Sequence, residues 1–144
     1  MTTVGLIALV DAALFTGAAF YINFAEQPAR LGLDDRALLA EWKPSYKQGF
    51  LMQATLAIVG FVLAALAWRQ TQNWEWLVGG LVLLANWPFT LFVIMPTNSI
   101  LMATPLDQAS GQTRALIEKW GWLHSVRTGL GAVATIIFFG ALLT

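Results

Sequence analysis

The sequence predicts an all-α fold: an up-down-up-down bundle of four membrane-crossing helices, with two long loops on one side. Three observations lead there. Of the 144 residues, 58% are hydrophobic and only 11% charged, whereas a soluble domain carries about 25% charged residues. Four runs, 4–24, 48–68, 76–95 and 121–143, reach the about 20 apolar residues that a spanning helix needs. A bilayer tolerates no lipid-exposed irregular backbone, so the runs must be helices that pack on one another. No internal repeat, linker or low-complexity tract divides the chain, and residues 1–144 read as one domain.

The composition also excludes much. The net charge is zero, so there is no basic surface for nucleic acid. With no cysteine there are no disulfides, thiolate nucleophiles or iron–sulfur ligands. One histidine alone cannot build a multi-histidine copper, zinc or non-haem iron centre, which leaves open a single axial ligand to haem or a metal site completed by carboxylates. No glycine-rich phosphate loop and no nucleophile elbow occurs.

The opening Met1-Thr2-Thr3 lacks the positive region of a cleaved leader, so 4–24 is expected to remain as the first span. The link 25–47 is long, and within it Asp34 to Trp42 reads as a short capped helix at the interface. The second span, 48–68, joins the third, 76–95, through the tight link 69–75. Pro88 lies inside the third span, where it removes a backbone donor and is expected to kink the helix and shape a cavity. Pro96 is expected to end that helix. The link 96–120 is again long, with 112–120 extending the fourth helix outward. Small residues at Gly17-Ala18-Ala19, Gly129, Gly131 and Gly140 are expected to permit close helix contacts.

Arg30, Arg36, Lys43, Lys47, Arg114 and Lys119 lie on the long-loop side and Arg69 opposite. The positive-inside rule then places both long loops in the cytoplasm, with a bacterial inner membrane as the expected location. Some of these cations are expected to pair with Glu26, Asp34, Asp35, Glu41 and Glu118. Trp42, Trp68, Trp74, Trp76, Trp120 and Trp122 fall at span ends and read as interfacial anchors; Trp87 does not.

Two ionisable residues, His124 and Arg127, stand near the start of the last span. Such groups are costly in lipid and mark a site, turned toward the bundle interior. Trp120, His124, Arg127 and Gly131 recur at helical spacing and share one face. At the same level the other helices bring Tyr21, Asn23 and Glu26, then Tyr46, Lys47 and Gln53, then Thr90, Thr97 and Asn98. A polar pocket opening toward the long loops is expected. His124, with an unperturbed pKa of ~6.5, suits proton transfer near neutrality; the plainer alternative is a satisfied interfacial histidine. Arg127 reads either as an ion-pair partner of Glu26 or Asp11, or as the binder of an anionic or enolate oxygen. Deeper, Asp11 and Asn86 are expected to hydrogen-bond one another and lock the first helix to the third, with a proton-carrying Asp11 as the alternative.

The patterns Pro88-x-Thr90, Met95-Pro96-Thr97-Asn98-x-x-Leu101 and Trp120-x-x-x-His124-x-x-Arg127 resemble the anthrone oxygenase-like family of small four-helix membrane proteins, catalogued in bacteria as a domain of unknown function. Gly17 and Gln27-Pro28-Ala29 also match, and the resemblance spans nearly the whole chain. It implies an oxygenase or oxidase of anthrones or related polycyclic phenols; fungal relatives convert an anthrone to an anthraquinone. Carried over by position, the implied site residues are His124, Arg127, Asn98, Thr97, Thr90 and Trp120. An anthrone has an acidic methylene, so His124 would act as base. Arg127, with Asn98 or Thr90, would stabilise the enolate oxygen. Trp120, Trp87 and Tyr21 would stack on a flat aromatic substrate, with Gln53 and Glu26 lining the pocket. The expected partners are a hydrophobic aromatic molecule and the lipid bilayer. The cofactor is open between none and a haem. One competing reading is a haem- or quinone-binding redox protein with His124 as axial ligand. Another is a non-enzymatic binder of hydrophobic ligands, or a helper subunit of a membrane complex. A transporter would need a dimer, and whether the chain forms homo-oligomers stays open.

Overall fold

Capping residues and helix breakers divide the chain into four long rods. In the computed structural model, which describes residues 2–144, these are α1 (Thr3–Leu31), α2 (Asp35–Thr71), α3 (Trp74–Ala103) and α4 (Gly111–Leu143). Each start is marked by a side chain that takes an orphan backbone N–H. Thr2 accepts from Gly5 N at 3.1 Å, Asp34 from Ala37 N at 2.9 Å and Asn73 from Glu75 N at 3.0 Å. Ser110 and Thr113 form a capping box ahead of α4. The α2–α3 hairpin turns at Gln72, whose φ of 57° is left-handed.

Each helix packs on its chain neighbours and α4 closes on α1, so α1 and α3 stand on a diagonal. The core lies in two parts. Toward the hairpin end, Ala8, Ala12, Phe15, Ala57, Ala64, Leu83, Ala134 and Phe138 are buried together. The alanines let the helices approach closely, and the aromatic rings fill what remains. Toward the other end, Leu38, Leu39, Trp42, Leu101, Ile117 and Trp120 form a second cluster. Gln53, Asn86, Thr90, His124 and Arg127 are buried where the two clusters meet. The outward faces are apolar: Leu14, Phe24, Phe92, Trp122 and Ile136 are each well exposed.

Several expectations need correction. Most of the long links is helix. α2 runs without a break from Asp35 through Pro44, so Asp34 caps the whole rod and not a separate interfacial helix. α3 continues past Pro96 to Ala103; the proline directly follows the π-turn Thr90–Ile94, where the regular α-helical hydrogen-bond ladder is already interrupted. Non-helical connection is confined to Gly32–Asp34, Gln72–Asn73 and 104–110, the last containing a short 3₁₀ turn at Leu106–Gln108. The surplus cations are partly spent on these joints. Lys43 Nζ donates to the carbonyls of Met102 (3.2 Å) and Thr104 (2.5 Å). Arg114 pairs with Asp35 at 2.6 Å and donates to the carbonyls of Leu31 and Leu33.

The tryptophans divide as well. Trp74 and Trp122 are exposed, as interfacial anchors would be, but Trp42, Trp76 and Trp120 are buried in the core. Of the small residues, Gly131 packs tightly on Phe15, whereas Gly17, Gly129 and Gly140 face open space. Asp11 and Asn86 do not pair. They sit on diagonal helices; Asn86 Nδ2 donates to the carbonyl of Leu83 at 2.9 Å, and Asp11 turns its carboxyl toward Gly60 of α2.

Candidate functional site

Two π-turns, Ile22–Glu26 in α1 and Thr90–Ile94 in α3, lie at the level where the two cores meet. A π-turn inserts one residue into a helix, and such turns concentrate at functional sites. Here they flank a polar cavity of about 20 Å³, room for about one water molecule. His124, Arg127, Asn98, Gln53, Trp120 and Glu26 line it, six of the residues expected from sequence. Trp87 and Thr90 line an adjoining second cavity. Thr97 is buried but borders neither, and Tyr21 is 61% exposed. Tyr21 instead lines an outer groove between α1 and α2, which shares Ile22, Glu26, Ser45 and Gly49 with the polar cavity.

The imidazole of His124 is fixed by an asparagine. Asn23 Nδ2 donates to the carbonyl of Gly121 at 2.9 Å. Its Oδ1 therefore faces the histidine and accepts from Thr128 Oγ1 at 2.8 Å. Across 2.9 Å from that oxygen stands His124 Nδ1, which must be the donor because the amide oxygen can only accept. A neutral ring then carries its proton on Nδ1 and leaves the lone pair on Nε2, and the residue lines the cavity. Trp120 packs on the ring at 4.9 Å between centroids. Gly121 makes the approach possible: a Cβ there would meet the side chain of Gln27 at 2.7 Å. Gln27 itself donates to the carbonyl of Ile117 at 2.9 Å.

Arg127 pairs with neither Glu26 nor Asp11. Its guanidinium lies 5.8 Å over the ring of Phe15, and its Nε has no hydrogen-bond partner. The expected carboxylate is taken elsewhere: Glu26 pairs with Arg30 and accepts from Ser45. Arg30 also reaches Glu41 at 3.0 Å and lies 5.7 Å over Trp120. Asn98 has neither amide atom bonded, and Gln53 Nε2 is likewise free. Unbonded polar atoms this deeply buried are rare in folded proteins. Their gathering in one cavity gives it hydrogen-bonding capacity for an occupant.

Sequence reasoning placed Asn23 and Tyr46 at this level without a role, and missed Arg30, Ser45, Phe50 and Thr128. The signal for Arg30 was its i+4 spacing from Glu26. Asn23 and Thr128 carried none, because their meeting with His124 depends on the packing of α1 against α4. An aromatic row, Trp42–Tyr46 (4.9 Å), Tyr46–Phe50 (6.0 Å) and Phe50–Trp87 (6.4 Å), walls the α2 side. Among the described residues no group of three His, Cys, Asp or Glu side chains could hold a metal ion. Beyond the single imidazole of His124, nothing in the arrangement supports a haem there.

Fold and site together define a four-helix bundle of membrane-spanning length with a buried histidine–arginine cavity toward one end. The chain belongs to the anthrone oxygenase family, whose model matches residues 42–137 and so includes both the Pro-Thr-Asn and the His-Arg patterns. It is similar to anthrone oxygenase AgnL2 of Paecilomyces divaricatus, 27% identical over 90% of this chain and 89% of the relative. An anthrone oxygenase of Claviceps purpurea is 28% identical over 96% and 87%, and anthrone oxygenase nsrD of Aspergillus novofumigatus 28% over 99% and 94%. These relatives are fungal, so they lend nothing to the bacterial setting expected from sequence. No solved structure matches the chain.

Proposed function

We propose that the protein is a membrane-embedded oxygenase that uses dioxygen to convert the activated methylene of an anthrone-like or related hydrophobic phenolic substrate to a ketone. The observation that carries this reading is the contact of His124 Nδ1 with Asn23 Oδ1, which assigns the ring proton to Nδ1 and leaves Nε2 as the acceptor of a residue that lines the cavity. Such an atom can remove a methylene proton. The electron pair left on carbon delocalises onto the carbonyl oxygen, which becomes an enolate. Arg127 and the free amide of Asn98 line the same cavity and supply charge and N–H groups for that oxygen. The enolate carbon then reduces dioxygen and bonds to it. The resulting hydroperoxide loses water to leave the new ketone, so one substrate and one O₂ give one quinone and one H₂O.

Lipid embedding is supported by the apolar outer faces and the lengths of the four helices. The cation excess at the site end supports a cytoplasmic position for that end. The groove beside Tyr21 borders the cavity, with Ile22 and Gly49 lining both, and this supports an approach from the lipid side.

The test is anthrone oxidation by the purified protein and by folded His124→Ala and Arg127→Leu variants. Loss of a positioned base costs about 10²–10⁴-fold in rate, and that loss is expected for His124→Ala. Turnover at the wild-type rate in both variants would overturn the assignment.

A further inference from the structure

The cavity beyond Arg127 is not explained by proton removal. It holds about 10 Å³ between α2, α3 and α4 and shares Phe50 and Arg127 with the first cavity. Its walls are an aromatic corner, Phe50 against Trp87 at 61°, and the small side chains of Ala54 and Ala57. The indole of Trp87 is held by its Nε1–H, which donates to the carbonyl of Ala54 at 3.2 Å.

Two polar atoms in this apolar setting have no partner: Asn86 Oδ1 and Thr90 Oγ1, on residues 1% and 4% exposed. The threonine differs from five others in the chain. Thr16, Thr55, Thr71, Thr104 and Thr135 all donate back to the carbonyl four residues earlier, the usual resting place of a helical threonine hydroxyl. Thr90 opens the π-turn and does not. Asn86 uses its N–H on Leu83 and leaves only its oxygen, a pure acceptor. An unpaired acceptor and an unpaired hydroxyl, lining one cavity with the rings of Phe50 and Trp87, suit an O–H group borne on an aromatic ring.

We infer that the second cavity is a subsite for a hydroxylated aromatic ring, with Asn86 Oδ1 and Thr90 Oγ1 binding the ring hydroxyl and Phe50 and Trp87 packing its faces. Neither cavity alone admits a ring as it stands. Phe50 and Arg127 are the walls they share, and displacement of these side chains would let a fused-ring molecule lie with one end at His124 and its hydroxylated end at Asn86. The inference rests on the proposed function only in taking the His124 end as the reacting one.

The test is binding, so that turnover is not needed. Anthraquinone and 2-hydroxyanthraquinone are titrated against the detergent-purified protein, followed by tryptophan fluorescence. The wild type is expected to bind the hydroxylated compound about tenfold more tightly, the effect of one hydrogen bond to a buried neutral group. In Thr90→Val and Asn86→Leu that ratio is expected to fall toward one, while anthraquinone binds as before. Equal affinities in the wild type, or a preference kept undiminished in Thr90→Val, would overturn the inference; Thr90→Val decides if Asn86→Leu fails to fold. A preference without anthrone oxidation removes the enzymatic reading and leaves the subsite standing. Oxidation without a preference does the reverse.

Discussion

Asn23 holds His124 in one tautomer, across the 2.9 Å between Oδ1 and Nδ1, and a third group settles the direction of that bond. Because the amide nitrogen is committed to the carbonyl of Gly121, the amide cannot turn over to offer a donor. The basic nitrogen of the cavity is thus set by the seam between α1 and α4.

His124 is the sole histidine, so ¹⁵N-histidine labelling reports one imidazole. The expected spectrum has a protonated Nδ1 and a lone-pair Nε2 at neutral pH. In Asn23→Leu the two tautomers are expected to mix, and kcat to fall about tenfold, the worth of about 1.4 kcal/mol of hydrogen bonding. KM is expected to hold. A wild-type ring protonated on Nε2 would contradict the proposed role of Asn23.

Glycines on the helix seams separate contact from open surface. A Cβ on Gly131 would come within 2.8 Å of Phe15, while one on Gly129 meets nothing. Gly131→Val is expected to destabilise the bundle by about 1–3 kcal/mol through overpacking. Gly129→Ala should instead be neutral or stabilising by up to about 1 kcal/mol, from helix propensity alone. Thermal unfolding in one detergent distinguishes them; equal melting temperatures would refute the packing of α1 on α4.

The tryptophans give a second stability contrast. Trp42→Ala removes a fully buried ring and is expected to cost about 3–5 kcal/mol. Trp122 is 79% exposed, and Trp122→Ala is expected to leave the unfolding midpoint in detergent close to wild type. A larger loss at Trp122 than at Trp42 would reverse the division between core and outer face.

Arg114 stitches the α1–α2 turn to the start of α4 through Asp35 and two carbonyls. Arg114→Ala is expected to raise amide exchange over residues 31–35 with little change in global stability, since half-exposed ion pairs contribute about 0–1 kcal/mol. Unchanged exchange there would mean that the turn stands without the arginine.

The spans were legible because apolar length is a local property: all four appeared, and the shared face of Trp120, His124, Arg127 and Gly131 is buried as its spacing predicts. The polar continuations of the helices were hidden, because caps and carbonyl clamps such as Lys43 on Thr104 hold them and hydropathy does not see those. The site residues on α4 could be read from ionisable groups in an apolar run. Their partners could not: Asn23 is an ordinary polar residue until α1 packs on α4. The error over Asp11 and Asn86 has the same origin, since depth along a helix says nothing of whether two helices are neighbours or lie diagonally.

The length of α4 sorts molecules by phase. At about 1.5 Å per residue, the stretch from His124 to Leu143 covers about 28 Å, close to the hydrocarbon thickness of a bilayer. The 13 residues from Gly111 to His124 rise about 20 Å further, so under the proposed embedding the imidazole would fall at the boundary between oil and water. In that setting the proposed greasy reactant would arrive sideways from the acyl chains, while protons and water would exchange through the headgroups, and the proposed chemistry would need neither a tunnel through the protein nor a carrier across an aqueous gap.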